Sequence, residues 1–144
     1  MSRDAKAFLA AAKRTAKKTP ALKLLGFELE AVDRGHAVMR MNARPRHRQV
    51  HGVVHGGILA ALADTASGIA AYTTVPDGTA IATVELKINY LEAVTGGRVR
   101  AEARVLRTGR NFVVVECEVF DQEEKLAAKA LLTFGAASGH ALHK

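Results

Sequence analysis

The sequence is short of residues on which several protein classes depend. Its 144 residues include one cysteine, no tryptophan and only 5% aromatic residues. A single cysteine excludes an intrachain disulfide framework and favours a reducing compartment. Few aromatic rings disfavour a base-stacking surface for nucleic acid. No run approaches the roughly 18 apolar residues of a membrane span, and no apolar signal-peptide core follows Met1–Lys6. We therefore expect a soluble, cytoplasmic protein with no nucleic-acid partner and no membrane partner.

Motifs of several enzyme classes are also missing. The chain contains no G-x-S-x-G of a serine hydrolase, no phosphate-binding P-loop and no G-x-G-x-x-G. His47, His51 and His55 are spaced four residues apart, a spacing that forms a common face only on a helix, and Pro45 and Gly52 disfavour a helix there. No cysteine or carboxylate completes a ligand set, so we predict no metal site.

The charge balance is basic. The formal net charge is +7 and the pI is about 9.9, which favours anionic partners such as a phosphate-bearing ligand. A well-solvated basic surface would give the same balance. The length and the 49% hydrophobic content suit one globular domain, which we predict over residues 1–144.

Hydrophobic periodicity predicts an α+β fold. A basic amphipathic helix at 3–18 forms an N-terminal segment that Thr19-Pro20 ends or restarts. A second helix, at 55–71, is apolar around almost its whole circumference and should be buried. Residues 136–144 are expected to form a loose tail. Period-two alternation predicts strands of an antiparallel sheet with one apolar face at 26–32, 35–42, 81–90, 97–107, 111–120 and 125–134. We expect this sheet to wrap around the apolar helix, with the strand order left open.

Two strands carry specific expectations. The alternation in 81–90 predicts one apolar face, with Thr83 on the opposite, polar face; the apolar face consists of Ala82, Val84, Leu86, Ile88 and Tyr90. Cys117 alternates with valines in 111–120 and is predicted to be a core residue rather than a nucleophile.

One carboxylate lies within the apolar helix. A buried Asp64 is unfavourable unless it is paired, hydrogen-bonded or protonated, so it is a candidate for chemistry; the alternative is a structural carboxylate bonded to backbone or to a hydroxyl such as that of Thr65. The unpaired N–H groups at Gly56-Gly57 could stabilise an oxyanion, or the glycines could simply shape the turn. Because Gly56 and Asp64 are about 12 Å apart on one helix, a shared reaction would need Asp64 from one chain and Gly56 from another.

These residues resemble a known family. The string Gln49-Val50-His51-Gly52-Val53-Val54-His55-Gly56-Gly57, followed by Leu62-Ala63-Asp64 and by Thr83 through Asn89-Tyr90-Leu91, is similar to the hotdog-fold acyl-CoA thioesterases. The branch that contains the phenylacetate-pathway and 4-hydroxybenzoyl-CoA thioesterases matches most closely, over residues 20–135. The resemblance implies a hotdog fold, with an antiparallel sheet wrapped around a long central helix, and hydrolysis of an acyl-CoA thioester.

The resemblance also implies roles for individual residues. Asp64 takes the place of the catalytic carboxylate, as general base or as nucleophile. Gly56 provides the N–H that polarises the thioester carbonyl. Gln49 binds the thioester or places water, and His55 is the histidine of the His-Gly-Gly string. Thr83 matches a hydroxyl that positions water in some members.

Substrate binding and assembly are implied in the same way. Gly57 and the turn Arg107-Thr108-Gly109-Arg110 are expected to contact substrate, with Arg44, Arg46 and Arg48 as a second option for the coenzyme A phosphates. No cofactor is implied, because coenzyme A is part of the substrate. A homodimer is expected, and a homotetramer built as a dimer of dimers. The acyl group is an aryl or short- to medium-chain group at family level only. A non-catalytic acyl-CoA binding protein of the same fold is the alternative.

Overall fold

The computed structural model describes residues 3–138 and contains all of the predicted helices and strands. The helices are α1 (Arg3–Lys18), α2 (Pro20–Leu25) and α3 (Gly56–Tyr72), with a short 3₁₀ turn at Pro45–His47. The strands are β1 (Glu28–Asp33), β2 (His36–Asn42), β3 (Thr79–Tyr90), β4 (Arg98–Thr108), β5 (Phe112–Phe120) and β6 (Leu126–Ser138). Thr19-Pro20 restarts the helix rather than ending it, because Pro20 occupies the first turn of α2, where its missing N–H is tolerated.

The six strands form one antiparallel sheet in the order β1-β2-β4-β5-β6-β3. The α+β prediction is confirmed, since α3 lies on the apolar inner face of the sheet against β1 to β6. The strand order comes from the connection between α3 and β3, which carries β3 to the far edge beside β6. Within residues 3–138, the outer side of β3 pairs with no other strand.

The expectation that α3 is buried on all sides is wrong for a single chain. The face towards the sheet is buried and consists of Leu59, Leu62, Ala63, Ala66, Ser67, Ala70 and Ala71. The opposite face, which includes Asp64, Thr65, Gly68 and Ile69, is half-buried. The sheet curves around only one side of the helix, so the other apolar side is left partly uncovered next to the edge strand β3.

The predicted alternation in β3 is also wrong at one point. A β-bulge lies between Thr83, opposite Phe134, and Glu85, opposite Thr133, so Val84 has no partner of its own. The bulge reverses the phase of the strand, and the inner face is Ile81, Thr83, Leu86, Ile88 and Tyr90. Val84 points outwards and is 62% exposed. A bulge inserts one residue and thereby flips which residues face the core.

The chain end differs from the sequence prediction in part. β6 continues to Ser138, with its last residues paired to β3 from Thr79 to Ile81, so the predicted tail at 136–144 begins too early. Residues 139–144 lie outside the described residues. None of the helices found between residues 3 and 138 combines the length and apolarity needed to cross a bilayer.

Candidate active site

His47 fixes the loop that leads into α3. Its side chain is 1% exposed. Nδ1 accepts a hydrogen bond from the Arg44 N–H at 2.9 Å, and Nε2–H donates to the Leu25 carbonyl at 2.7 Å. The His47 carbonyl in turn accepts from the His55 N–H at 2.8 Å. Because both ring nitrogens are bonded to backbone, His47 is a structural residue that anchors the start of α3 to α2.

His55 caps the N-terminus of α3. Its Nδ1 accepts from the Gly57 N–H at 2.9 Å, so the neutral ring carries its proton on the exposed Nε2. The Gly57 N–H is therefore already used, whereas the Gly56 N–H donates to no acceptor in the described part of the chain. Of the two glycines, Gly56 has the N–H that is available to a carbonyl oxygen, at the positive end of a 17-residue helix.

Tyr90 holds Gly56 in place, a role that the sequence did not reveal. The Tyr90 hydroxyl donates to the Gly56 carbonyl at 2.7 Å. A Cβ atom on Gly56 would lie 3.0 Å from Tyr90 Cζ, which is tighter than an ordinary contact, so any larger residue at position 56 would push against the ring. Burial raises the pKa of the Tyr90 phenol above its ordinary value of 10.0, which keeps the donor protonated at neutral pH. The sequence pattern had given Tyr90 only a place on an apolar strand face.

Asp64 forms its hydrogen bond with Thr83. The Thr83 hydroxyl donates to Asp64 Oδ1 at 2.7 Å. Thr65, the alternative partner considered from sequence, instead donates to the Ala61 carbonyl at 2.8 Å. The other carboxylate oxygen, Oδ2, makes no hydrogen bond to residues 3–138. Asp64 is therefore oriented through one oxygen and presents the second to whatever occupies the space beside it.

That space is an apolar cavity of about 770 Å³ between α1, α2 and the uncovered side of α3. Asp64 and Thr83 form a polar spot in a wall that is otherwise largely apolar. The remaining lining residues come mainly from the helices and from the first half of β3: Phe8, Ala11, Ala12, Thr15, Ala16, Thr19, Leu22, Thr65, Gly68, Ile69, Tyr72, Ile81, Ala82 and Phe134. A volume of this size lies within the range of small-molecule sites.

Gly56 lines a different cavity, of about 280 Å³, with Tyr90 and Leu59. Gln49 lies on the loop before α3, where its side-chain oxygen accepts from the His51 N–H. The structure therefore gathers Gln49, His55, Gly56 and Gly57 around the start of α3, and Asp64 with Thr83 near its middle. A single chain does not bring these two groups together.

The predicted arginine turn lies at a third position. The Thr108 hydroxyl donates at 2.7 Å to that of Thr74, which follows the C-terminus of α3. The Gly109 N–H donates to the Phe112 carbonyl at 2.8 Å and closes the turn, and Arg107 and Arg110 are exposed. Of the second set, Arg48 donates to the Gly52 carbonyl, whereas Arg44 and Arg46 have exposed side chains on the loop before α3.

The sequence profile of the thioesterase superfamily matches residues 51–128, a segment that contains His55, Gly56, Gly57, Asp64 and Thr83 and begins two residues after Gln49. The chain belongs to the thioesterase superfamily. This thioesterase is 29% identical over 102 residues to a 1,4-dihydroxy-2-naphthoyl-CoA hydrolase of Listeria monocytogenes. The matched segment covers 71% of this chain and 83% of the Listeria protein. Its structure is similar to a thioesterase from Haemophilus influenzae, with a TM-score of 0.86, 27% identity and 94% of each chain covered. The E. coli PaaI protein, from a phenylacetic acid degradation operon, gives a TM-score of 0.81 at 27% identity, with 89% of this chain and 91% of that chain covered.

These similarities confirm the hotdog fold and the thioester-hydrolase activity implied by the sequence resemblance. Within this thioesterase, the carboxylate and the helix N-terminus are eight residues, or about 12 Å, apart along α3. A single thioester carbonyl group is too small to contact both residues across this distance. One chain therefore keeps the Asp64 carboxylate and the unbonded Gly56 N–H apart.

Proposed function

We propose that this thioesterase hydrolyses an acyl-CoA thioester at a site shared by two copies of the chain. The observation that carries the proposal is the Thr83–Asp64 hydrogen bond at 2.7 Å beside an apolar cavity, with the unbonded Gly56 N–H too far along α3 to act with it. Each chain would then contribute the acid of one site and the oxyanion donor of the other.

The proposed chemistry follows from these two groups. Thr83 holds Oδ1 of Asp64, which lines the cavity, and Oδ2 has no hydrogen bond to the described residues. In the proposed reaction Oδ2 either removes a proton from water or attacks the thioester carbonyl itself. The Gly56 N–H and the helix dipole stabilise the negative charge that develops on the carbonyl oxygen. The thiolate of coenzyme A leaves as the carbonyl re-forms. Where water attacks, this step gives the free acid directly; where Asp64 attacks, it gives a mixed anhydride, which water then cleaves to the free acid and the regenerated carboxylate. Gln49, on the loop beside Gly56, is placed to bind the thioester or to hold water.

The uncovered side of the fold supplies a way to assemble the shared site. The outer edge of β3 is unpaired in the described chain, and the half-buried face of α3 lies next to it. An unpaired edge strand can form an antiparallel pair with the same strand of a second copy, related by a two-fold axis. Thr83 bonds to Asp64 and Tyr90 bonds to Gly56. Pairing of two β3 strands about an axis near Leu86 would therefore bring Asp64 of one copy level with Gly56 of the other.

The same dimer would also bring together the arginines that could bind the coenzyme A phosphates. In one chain the turn at 107–110 lies at the C-terminal end of α3, and the loop that carries Arg44 and Arg46 lies at its N-terminal end. Two copies of α3 that run in opposite directions bring the turn of one copy towards the loop of the other. The two arginine sets considered from sequence would then flank one phosphate-binding region. A homotetramer built from two such dimers stays a prediction.

The cavity supports an apolar acyl group of aryl or medium-chain size. Its lining consists mainly of residues of α1, α3 and β3 and includes Asp64. Two of the similar proteins named above carry an aromatic group in their name or origin, one as a 1,4-dihydroxy-2-naphthoyl-CoA hydrolase and one from a phenylacetic acid degradation operon. They favour an aryl group for this chain. The space also accepts a medium-length alkyl chain.

Release of free thiol from a panel of acyl-CoA thioesters tests the activity, with Asp64→Asn as the diagnostic variant. Loss of a general base lowers the rate by about 10²–10⁴-fold, so we expect at least a hundredfold loss. Asp77→Asn is the matched control, because Asp77 is an exposed aspartate on the loop after α3. Binding of acyl-CoA without turnover by the wild type would instead support the non-catalytic alternative, and full activity of Asp64→Asn would remove Asp64 from the mechanism.

Mixing two inactive variants tests the sharing of the site. A chain with Asp64→Asn and a chain with a disabling substitution at Gly56 would form a heterodimer with two shared sites. One of these sites carries both substitutions, and the other carries neither. We expect activity to return on mixing and refolding, towards half the wild-type rate per heterodimer. Persistent inactivity of verified heterodimers would show that each chain works alone.

A further inference from the structure

The β3 bulge lies beside the Thr83–Asp64 pair. C-terminal to the bulge, Leu86, Ile88 and Tyr90 face inwards, which makes the even-numbered positions the inner ones. N-terminal to the bulge, the odd-numbered positions face inwards, and Thr83 is the last of them. A regular strand that kept Leu86 inside would place Val84 opposite Phe134 and would turn Thr83 away from α3. The hydrogen bond to Asp64 therefore exists only in the bulged register.

The outward side chain of Val84 lies over Gly135 of β6. A Cβ atom on Gly135 would be 3.2 Å from Val84 Cγ2, which is closer than an ordinary van der Waals contact. Gly135 has no positive φ angle, so the backbone there does not call for glycine. The missing side chain at Gly135 therefore provides space rather than conformational freedom. A glycine inside a strand often marks a bulge or a close approach of this kind.

We propose that Val84 and Gly135 are positioning residues that select the bulged register and thereby aim the Thr83 hydroxyl at Asp64. The inference rests on the proposed role of Asp64 and adds to it the feature that orients the carboxylate. Gly135 contacts neither Asp64 nor the cavity, and it acts only through the register of β3.

Two registers compete in this part of the strand. The regular register would bury Val84, which is favoured because burying an apolar side chain removes apolar surface from water, but it would also turn Ile81 away from the inner face. The bulged register leaves Val84 62% exposed and gains the Thr83–Asp64 hydrogen bond. A branched side chain at position 135 would crowd Val84 on the outer face, because its Cβ atom alone would lie 3.2 Å from Val84 Cγ2. Such a side chain should shift the balance to the regular register, which has Val84 beside Asp64.

The first arm of the test is Gly135→Val, with Ala137→Val as the matched control. Ala137 lies on the same face of the same strand, opposite Ala80 and beyond the bulge. Loss of a hydrogen bond to a charged group corresponds to roughly a tenfold to hundredfold effect. We expect both Gly135→Val and Thr83→Val to lower kcat by this factor with little change in KM, and Ala137→Val to keep the wild-type kcat. Equal kcat values for Gly135→Val and wild type would overturn the proposal.

The second arm moves the hydroxyl by one position, with Thr83→Val and Val84→Thr together. In the wild-type background this exchange should be as slow as Thr83→Val alone, because position 84 points outwards. Combined with Gly135→Val, the same exchange should restore activity, because the regular register turns position 84 towards Asp64. If Gly135→Val only disturbed the structure, it would lower the activity of the exchange variant instead of restoring it. If Gly135→Val fails to fold, the exchange can still be tested in the chain that keeps Gly135. Wild-type activity of that exchange variant would contradict the proposal.

The register itself gives a readout that does not depend on turnover. A crystal structure of Gly135→Val should show Val84 opposite Phe134, whereas Thr83 opposite Phe134 would refute the register shift. Failure of the proposed function has a different signature, since Asp64→Asn would then match the wild type in the same assay. Loss of activity in Asp64→Asn together with an unchanged register in Gly135→Val would refute only the positioning role.

Discussion

The contact between Gly56 and Tyr90 leads to a prediction for Gly56→Ala. The added Cβ would lie 3.0 Å from Tyr90 Cζ and 3.2 Å from the hydroxyl oxygen, both shorter than ordinary contact. The end of the ring must shift by a few tenths of an ångström, and we expect this shift to weaken the hydrogen bond from Tyr90 to the Gly56 carbonyl, which is 2.7 Å in the wild type. The first turn of α3 is released, and the Gly56 N–H is no longer held towards the thioester oxygen.

The expected effects on stability and on rate differ. Loss of the hydrogen bond lowers the free energy of unfolding by about 1 kcal/mol. Alanine in place of glycine in a helix raises it by up to about 1 kcal/mol, so Tm should stay nearly unchanged. Misplacement of an oxyanion donor lowers kcat by up to about 10²–10³-fold. We therefore expect kcat to fall at least tenfold in the thiol-release assay while thermal unfolding remains close to that of the wild type.

Tyr90→Phe is the matched variant, because it removes the hydrogen bond without adding a clash. It should show a smaller loss of kcat than Gly56→Ala, in the same direction. Wild-type kcat in both variants would refute the idea that Tyr90 holds the oxyanion donor. A large drop in Tm that accompanies the loss of kcat would show that Gly56→Ala acts through folding instead.

Three further predictions concern other parts of the chain. Ala12→Leu places a larger side chain in the cavity wall formed by α1, so kcat/KM should shift towards shorter acyl groups, whereas Ala10→Leu on the exposed side of α1 should leave the profile unchanged. Burial raises the pKa of the Cys117 thiol to about 12, so a thiol reagent at pH 8 should label the native protein slowly and the denatured protein rapidly; rapid labelling of the native protein would contradict the buried position. Desolvation works to raise the pKa of Glu102, but hydrogen bonds from His36 and Arg100 and the charge of Arg104 lower it overall. The native state then favours the carboxylate, and this stabilisation is present above the unfolded pKa and is lost as the pH falls through the lower folded value. Glu102→Gln should therefore reduce the loss of unfolding free energy as the pH falls through the acid range. An unchanged slope would count against a stabilising role for the ion pairs of Glu102 with His36, Arg100 and Arg104.

The pattern of the sequence was sufficient for most of the fold. Alternation in β4 and β6 correctly predicted the buried faces, because a strand with one side in the core has no freedom in the phase of its apolar residues. The long apolar helix was equally clear. The prediction failed in β3, because a bulge changes the phase within a strand and both phases of that segment contain apolar residues. Ile81 at an odd position and Leu86 at an even one were the available signal.

The sequence by itself determined the α+β class, the family resemblance and the argument that Gly56 and Asp64 cannot act within one chain, since residue spacing along a helix fixes distance. Only the tertiary structure decided the order of the strands, the hydrogen bond between Thr83 and Asp64, and the support that Tyr90 gives to Gly56. These three features join residues far apart in sequence. They depend on which strand reaches the sheet edge and on one inserted residue, Val84, and neither is set by local periodicity.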